Sequence, residues 1–203
     1  MEKQVLNRSI HKIGLVLSVL MAVTFVSDRT YGKSLDVRLE EDYYFSTKSV
    51  WDGGFGASVQ VLNWLDDQIG IGIHAGIMTW DVDRTSVGID GDVQFFPMGF
   101  SLYYDTEFTW DMSVALYTGL QYHSVSSVNL VIPQSTAIPD VEGASSGRVG
   151  FELKWYPIDN IAFMGGAGYQ YNLRNARFTL QGQKIMEASM ECFYGRLGIG
   201  LFF

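Results

Sequence analysis

Three groups of residues in this 203-residue chain have types and spacings that could do chemistry. His123, in "YHSVSS", lies beside Ser124 and Ser126, the pairing of base and nucleophile that acyl hydrolysis uses. Nucleophile and base must lie within hydrogen-bond reach. On an extended chain Ser124 points away from His123, and Ser126 falls where a loop should begin, so His123 reads as an inward polar residue with a hydrogen-bond partner. "DVDRTSVGIDGD" supplies Asp81, Asp83, Asp90 and Asp92, oxygen ligands suited to Ca²⁺, but without EF-hand spacing. The third group is nine charges spread along the chain: Arg38, Glu40, Asp42, Asp90, Asp92, Arg148, Glu152, Lys154 and Arg196. The single cysteine, Cys192, rules out an intramolecular disulfide and a cysteine-based zinc cluster and reads as a packing thiol. The expectation is a chain with no catalytic residues, no metal and no cofactor.

What positions these charges is alternation. After residue 32 apolar and small-or-polar residues alternate in runs of about ten, the period of strands with unlike faces. "GFGASVQVL" sets Phe55, Ala57, Val59 and Val61 against Gly54, Gly56, Ser58 and Gln60; "RVGFELKWY" sets Val149, Phe151, Leu153 and Trp155 against Arg148, Gly150, Glu152 and Lys154. Eight such strands are expected at 34–46, 54–63, 69–80, 86–96, 112–123, 148–156, 161–172 and 188–203.

Glycine decides which face meets which solvent. It forms strands poorly, yet it recurs on the polar parity at Gly54, Gly56, Gly70, Gly72, Gly76, Gly88, Gly119, Gly150, Gly166, Gly168, Gly198 and Gly200. A water-exposed face has no steric reason to choose glycine. The interior of a narrow eight-stranded barrel does. The charged parity is therefore inside, where the nine charges pair and fill the lumen. The apolar parity is outside in lipid, with Ile71, Ile73, Val93, Leu116, Phe151, Phe163, Leu197 and Ile199 lipid-facing.

The connections agree. The short turns 63–68 and 156–160 alternate with longer polar segments at 46–53, 80–86, 124–146 and 172–187, the asymmetry of outer-membrane barrels. Aromatics gather into two rims, with Trp64, Phe95, Phe96, Trp155, Tyr156 and Phe203 near the turns and Tyr43, Phe45, Trp51, Tyr122, Tyr169 and Tyr171 near the loops. The segment 97–111, "PMGFSLYYDTEFTWD", is about three times too long for a short-side turn; its "FSLYYD" fits a strand extension or a separate ribbon.

The N-terminus differs from the rest. Lys3, Arg8 and Lys12 precede "IGLVLSVLMAVTFV", an apolar run of 14 residues. A bilayer-crossing helix needs about 20, so residues 1–32 read as a secretory signal peptide, with an uncleaved anchor as the rival reading, and 33–203 as the exported domain. The whole chain is 47% hydrophobic and 14% aromatic with only 18% charged residues, and its formal charge is −8. Removing residues 1–32 leaves 10 Lys+Arg against 20 Asp+Glu. That balance argues against a nucleic-acid partner.

The last nine residues, "GRLGIGLFF", carry Leu197, Ile199, Leu201 and the terminal Phe203 at every second position. This ending resembles the C-terminal signal read by the outer-membrane barrel assembly machinery. "GFELKWYPIDNIAFMGGAGYQY" resembles the strand-turn-strand unit of the small eight-stranded outer-membrane barrels, the opacity-type surface proteins and the transmembrane domain of outer-membrane protein A. The resemblance covers residues 33–203. It implies an all-β, eight-stranded, antiparallel up-and-down transmembrane barrel in the bacterial outer membrane, with membrane lipid and the assembly machinery as partners. It says little of activity, since that class includes anchors, adhesins, small pores and a few lipid-modifying enzymes. The expectation is a structural or surface-interaction protein, not an enzyme, with a plugged lumen and with loops 124–146 and 172–187 as candidate partner surfaces. A small-solute pore is the alternative, and a rim lipid hydrolase ranks below it. A soluble lipocalin-type barrel would need the two parities reversed.

Overall fold

A computed structural model describes residues 35–47, 50–84, 89–132 and 138–203. The signal-peptide expectation for residues 1–32 lies outside them. Eight strands close a barrel: β1 (Leu35–Ser46), β2 (Trp51–Trp64), β3 (Ile69–Arg84), β4 (Ile89–Thr109), β5 (Met112–Val131), β7 (Ala144–Ile158), β8 (Ile161–Arg174) and β11 (Cys192–Phe202). Each pairs antiparallel with its neighbour, and β11 returns to pair with β1 from Asp36↔Phe202 to Ser46↔Cys192. Three shorter strands, β6 (Asp140–Glu142), β9 (Ala176–Leu180) and β10 (Gln183–Ala188), form a separate sheet in the order β10-β9-β6.

Leu35, Phe203 and the short turns share one end. Asp66 accepts from the backbone N–H groups of Gln68 and Ile69 at 2.8 and 2.6 Å, which fixes the β2–β3 turn. The Thr109 hydroxyl donates to Asp111 at 2.9 Å across the two-residue turn between β4 and β5. The long connections and the three-stranded sheet share the opposite end.

The faces fall as the glycines predict. Leu39, Phe151 and Leu197 are 55%, 48% and 59% exposed, whereas Arg38, Glu152 and Lys154 are 1%, 0% and 0% exposed. Ile71, Leu116, Phe163 and Ile199 are also exposed, and Ile73 is half-buried.

Three expectations are corrected. First, the fourth strand is not 86–96. It runs from Ile89 to Thr109, so the overlong "turn" 97–111 is its barrel-forming part. There Met98, Phe100, Leu102 and Tyr104 point outward, and Ser101, Tyr103 and Asp105 point in. Pro97 has no N–H to donate and so reads as a strand end in sequence; here it lies within the ladder, opposite His123. Second, Val93 is fully buried rather than lipid-facing. Residues 89–96 rise past the barrel with the upper parts of β3 and β5, and their odd-numbered side chains pack inward. In β5, Gln94 pairs with Ser127 but Phe95 with Val125, so Ser126 is an extra residue that reverses the parity above it. Phe95, expected in the turn-side rim, and Trp51, expected in the loop-side rim, are instead buried in this upper cluster. Third, segment 172–187 is no plain loop. β9 and β10 form a hairpin whose turn residues, Gln181 and Gly182, both have positive φ (51° and 80°), as a tight two-residue hairpin requires.

Apolar residues from the projecting strands and from the small sheet meet above the barrel interior: Trp51, Trp80, Val82, Val93, Phe95, Val141, Phe178 and Met190. The Trp51 ring packs tilted, with its centroid 5.5 Å from that of Trp80 and 6.0 Å from that of Phe178, and its indole N–H donates to the Ser189 carbonyl at 2.8 Å.

Interior and exterior glycines differ in what they avoid. A Cβ on Gly166, which points inward, would overlap the Phe151 carbonyl oxygen and crowd Glu152, whereas a Cβ on Gly195, which points outward, would meet no atom within 4 Å. Gly166→Val is therefore expected to destabilise the folded barrel by about 1–3 kcal/mol or prevent its folding. Gly195→Ala should change stability by less than about 0.5 kcal/mol. Urea unfolding in phospholipid vesicles, followed by tryptophan fluorescence, measures both; equal losses at the two sites would contradict the assignment of faces.

Candidate functional site: the charged barrel interior

Four strands bring the charges together. β1 turns Asp36, Arg38, Glu40 and Asp42 inward at alternate positions, β7 adds Arg148, Glu152 and Lys154, β11 adds Arg196, and β4 adds Asp105. Each of these residues is under a tenth exposed because the strand period of two places every second residue inside a closed tube.

The charges form two linked clusters. In the upper one, Asp42 accepts from Arg196 through both oxygens (Nε at 2.7 Å, Nη2 at 3.1 Å) and from Arg148 Nη2 at 2.7 Å. The Tyr44 hydroxyl donates to the same carboxylate at 3.0 Å. Arg196 Nη1 also lies 3.0 Å from Glu40 Oε2, off the hydrogen-bond direction. In the lower cluster, Arg38 lies between Asp36, to which its Nε donates at 2.6 Å, and Glu152, to which its Nη1 donates. Lys154 donates to Asp105 at 2.7 Å and lies 3.8 Å from Glu152.

Aromatic rings fill the space beside the cations. Arg148 sits 4.1 Å from the Tyr194 ring centroid, Arg38 4.9 Å from Tyr103, Arg196 5.3 Å from Tyr117 and Lys154 4.8 Å from Trp64. The ring quadrupole favours a desolvated cation at such distances. Above them lies a neutral polar layer. His74 meets Gln121 at 3.2 Å, Gln121 donates to Gln170, and Gln170 donates to the Met190 carbonyl at 2.7 Å.

Seven of the nine sequence-chosen charges enter this network, and two do not. Asp90 is exposed and Asp92 half-buried on the part of β4 that rises past the barrel, so neither meets Arg148, Lys154 or Arg196. Their places are taken by Asp36 and Asp105. Asp36 shares the parity of Arg38, a signal that was present in the sequence, whereas Asp105 lay in the segment read as a turn. The interior balance is four cations against five anions under either assignment.

His123 is fully buried, and its Nε2 lies 2.8 Å from the Ser146 hydroxyl, not from Ser124 or Ser126. Ser124 donates to the Phe96 carbonyl at 3.3 Å. His123 stands edge-on to Phe95, and no described residue supplies a hydrogen bond to its Nδ1. Cys192 is buried. Among the described residues no three His, Cys, Asp or Glu side chains converge as a metal-ligand set. Leu197, Ile199, Leu201 and Phe203 all point outward, and Phe203 donates its backbone N–H to the Leu35 carbonyl at 2.9 Å, tying the last residue to the first strand.

The sequence matches no protein-family model and no curated protein. Solved structures do match. The outer membrane protein OprG from Pseudomonas aeruginosa superposes with a TM-score of 0.65 at 11% identity, covering 87% of this chain and 99% of that one. Neisserial surface protein A gives 0.56 at 12% identity (86% and 100% covered), and the N-terminal barrel domain of Pseudomonas aeruginosa OprF gives 0.53 at 14% (85% and 100%). The chain therefore has the fold of the small bacterial outer-membrane β-barrels. Its outward apolar belt and inward charges are the arrangement that a lipid bilayer demands of that fold.

Removing one partner of a buried ion pair leaves the other uncompensated, at a cost of about 3–5 kcal/mol. Arg196→Ala, which strips Asp42 of its bidentate partner and Glu40 of its nearest cation, is expected to lose that much in urea unfolding. Lys154→Met alone should be costly because Asp105 loses its partner. Adding Asp105→Asn to Lys154→Met should recover more than half of the loss, a coupling that a double-mutant cycle reads directly. Additive effects would show that the pair does not interact.

Proposed function

We propose that the chain is an integral protein of the bacterial outer membrane whose barrel is a closed anchor and whose loop-side sheet is the working surface. The observation that carries this reading is the near neutrality of the interior. Four cations and five anions are paired over short distances between aromatic rings, with the Trp51–Trp80–Phe95–Phe178 cluster above them. A selective pore works through an excess of one sign along a hydrated path, and an interior filled by its own side chains is the usual state of eight-stranded barrels.

The loop side supports a role in surface contact. The sheet β10-β9-β6 and the adjoining end of β8 present charges of both signs, with Arg174 3.2 Å from Glu142, Arg177 3.6 Å from Glu187 and Lys184 3.1 Å from Glu187. The Lys184 ammonium holds the Glu187 carboxyl below its ordinary range. Exposed pairs of this kind add little stability. Around them Val131, Ile138, Leu173 and Ile185 are exposed above the aromatic rim, in water rather than lipid. Apolar side chains held in water among charges are a surface that a partner protein can cover. Membrane lipid and, during biogenesis, the barrel assembly machinery complete the expected partners.

The pore remains the second reading, since the same charges would line its path. In planar bilayers the purified protein is expected to give no steady single-channel current; discrete, reproducible conductance steps would replace the closed anchor with a pore. An epitope inserted at Gly182, the hairpin tip, is expected to bind antibody on intact cells, and access only after membrane rupture would contradict a surface role.

A further inference from the structure

Glu41 is a charged residue of the barrel wall that the interior does not use. On β1 it takes the outward parity between Leu39 and Tyr43 and is exposed. Its cross-strand neighbours are Leu197 on β11 and Ala57 on β2, and the diagonal positions hold Gly195, Ile199, Phe55 and Val59. Among the described residues nothing hydrogen-bonds to it or pairs with it. No other charged side chain faces outward between the two aromatic rims among those residues; Asp81, on the outward parity of β3, lies far up toward the loops.

Its depth makes this unusual. Glu41 is six residues from Leu35 at the turn end; at a strand rise of about 3.3 Å and a tilt of about 40° it stands roughly 15 Å up a belt about 25 Å tall. Tyr43 and Phe45 of the loop-side aromatic rim follow two and four residues higher on the same face, so the Glu41 backbone sits about 5 Å below the lower of them, inside the apolar belt. A carboxylate held in hydrocarbon is costly, and such residues mark functional contacts.

The surface beside Glu41 is also hollow. Gly165 and Gly195 lie on the lipid face of adjacent strands with Ala167 between them, and Ala57 lies on the other side. A Cβ on Gly195 would meet nothing within 4 Å, and one on Gly165 only the Leu197 Cδ2 at 3.7 Å. Inward glycines such as Gly166 and Gly168 have no room for a Cβ, so the barrel itself explains them. It does not explain the two outward ones. Glycine in a strand interior marks close approach by something else.

We infer that this face docks a membrane-embedded partner protein that brings a lysine or arginine side chain to Glu41. Charge complementarity selects the occupant. A second copy has no Lys or Arg on its belt among the described residues and would bring one carboxylate against another. A lipid amine would sit above that aromatic rim, at headgroup depth, rather than beside the hollow at Gly195. The inference rests on the membrane-embedded reading above, which retention of the chain in the membrane pellet after an alkaline wash tests separately.

The test places the photo-crosslinking residue p-benzoylphenylalanine at Phe55 or Ile199, beside the hollow, and at Leu116 on the opposite side of the barrel, in the full chain in its native membrane. Irradiation is expected to join the first two positions, but not Leu116, to one other protein. That protein's cross-linked segment should carry an outward Lys or Arg. Glu41→Gln should cut the adduct yield about tenfold or more, as loss of one side of a buried charge pair does. Gly195→Leu should do the same by filling the hollow. Both variants should keep the heat-dependent gel shift of a folded barrel. Glu41→Lys combined with an acidic replacement of the partner's basic residue should restore the adduct. Several results would overturn the proposal: an adduct of two copies of this chain, adducts with lipid alone, no adduct, a partner without a basic residue, or a yield indifferent to Glu41→Gln.

Discussion

In a bilayer no water remains to satisfy a stray backbone N–H or C=O, and the ladder between β1 and β11 removes the last two strand edges at which any would be left. The rest of the architecture follows from that closure. Eight strands make a tube too narrow for an interior face of large side chains only, so glycine appears on the inward parity wherever a neighbour's backbone or a tyrosine ring presses in, as at Gly166 and Gly168. Closure also sets the charges. With β1 beside β11, Asp42 and Arg196 become cross-strand partners in register, and their bidentate pair spans the seam at which the barrel closes.

A buried ion network is weak evidence for stability, because desolvating two charges can cost what their attraction returns. Its value here is specificity. A register slip of one residue between β1 and β11 would turn Arg196 into lipid and Leu197 into the charged interior. With β1 facing the other way, Asp36, Arg38, Glu40 and Asp42 would point into lipid, away from their present partners. The network thus acts against the wrong barrel more than for the right one. The apolar cluster above it does the ordinary work of a core, tying the three-stranded sheet to the rising ends of β3, β4 and β5.

Much of this was legible in the chain. The parity of each strand, the sense of its two faces and the seam were readable from where glycine and charge alternate with Leu, Ile and Phe. Two features were not. Pro97 looks like a strand end to any local reading, and only its neighbours in three dimensions show that the ladder passes through it. The extra residue at Ser126 reverses parity in the middle of β5, and nothing in "HSVSSVNL" marks which serine is the extra one. Taking Pro97 as a strand end leaves Asp105 out of the interior, and taking Ile89, Val93 and Phe95 as lipid-facing puts Asp90 and Asp92 in it, whereas Val93 and Phe95 pack into the cluster above the barrel. The β9–β10 hairpin carried a fair signal, since Phe178 and Leu180 alternate with polar residues up to Gln181-Gly182, but its turn lacks the Asn-Gly or Asp-Gly pair that announces a tight hairpin. Glu41 interrupts the apolar parity of β1 in the sequence itself, whereas its depth and its hollow surroundings are properties of the fold.

The central claim is that the apolar parity faces hydrocarbon around the whole closed tube. Its most direct test is a spin-label scan in lipid vesicles, with labels placed singly at Leu39, Leu116, Phe151, Phe163 and Leu197 in a Cys192→Ala background. Collisions with dissolved oxygen and with a water-soluble nickel chelate report the medium that each label meets. The account predicts high oxygen and low nickel accessibility at all five, including Leu39 and Leu197, which flank the seam. High nickel accessibility at these sites, or labels immobilised and shielded from both reagents, would place the apolar face in a closed core and contradict it.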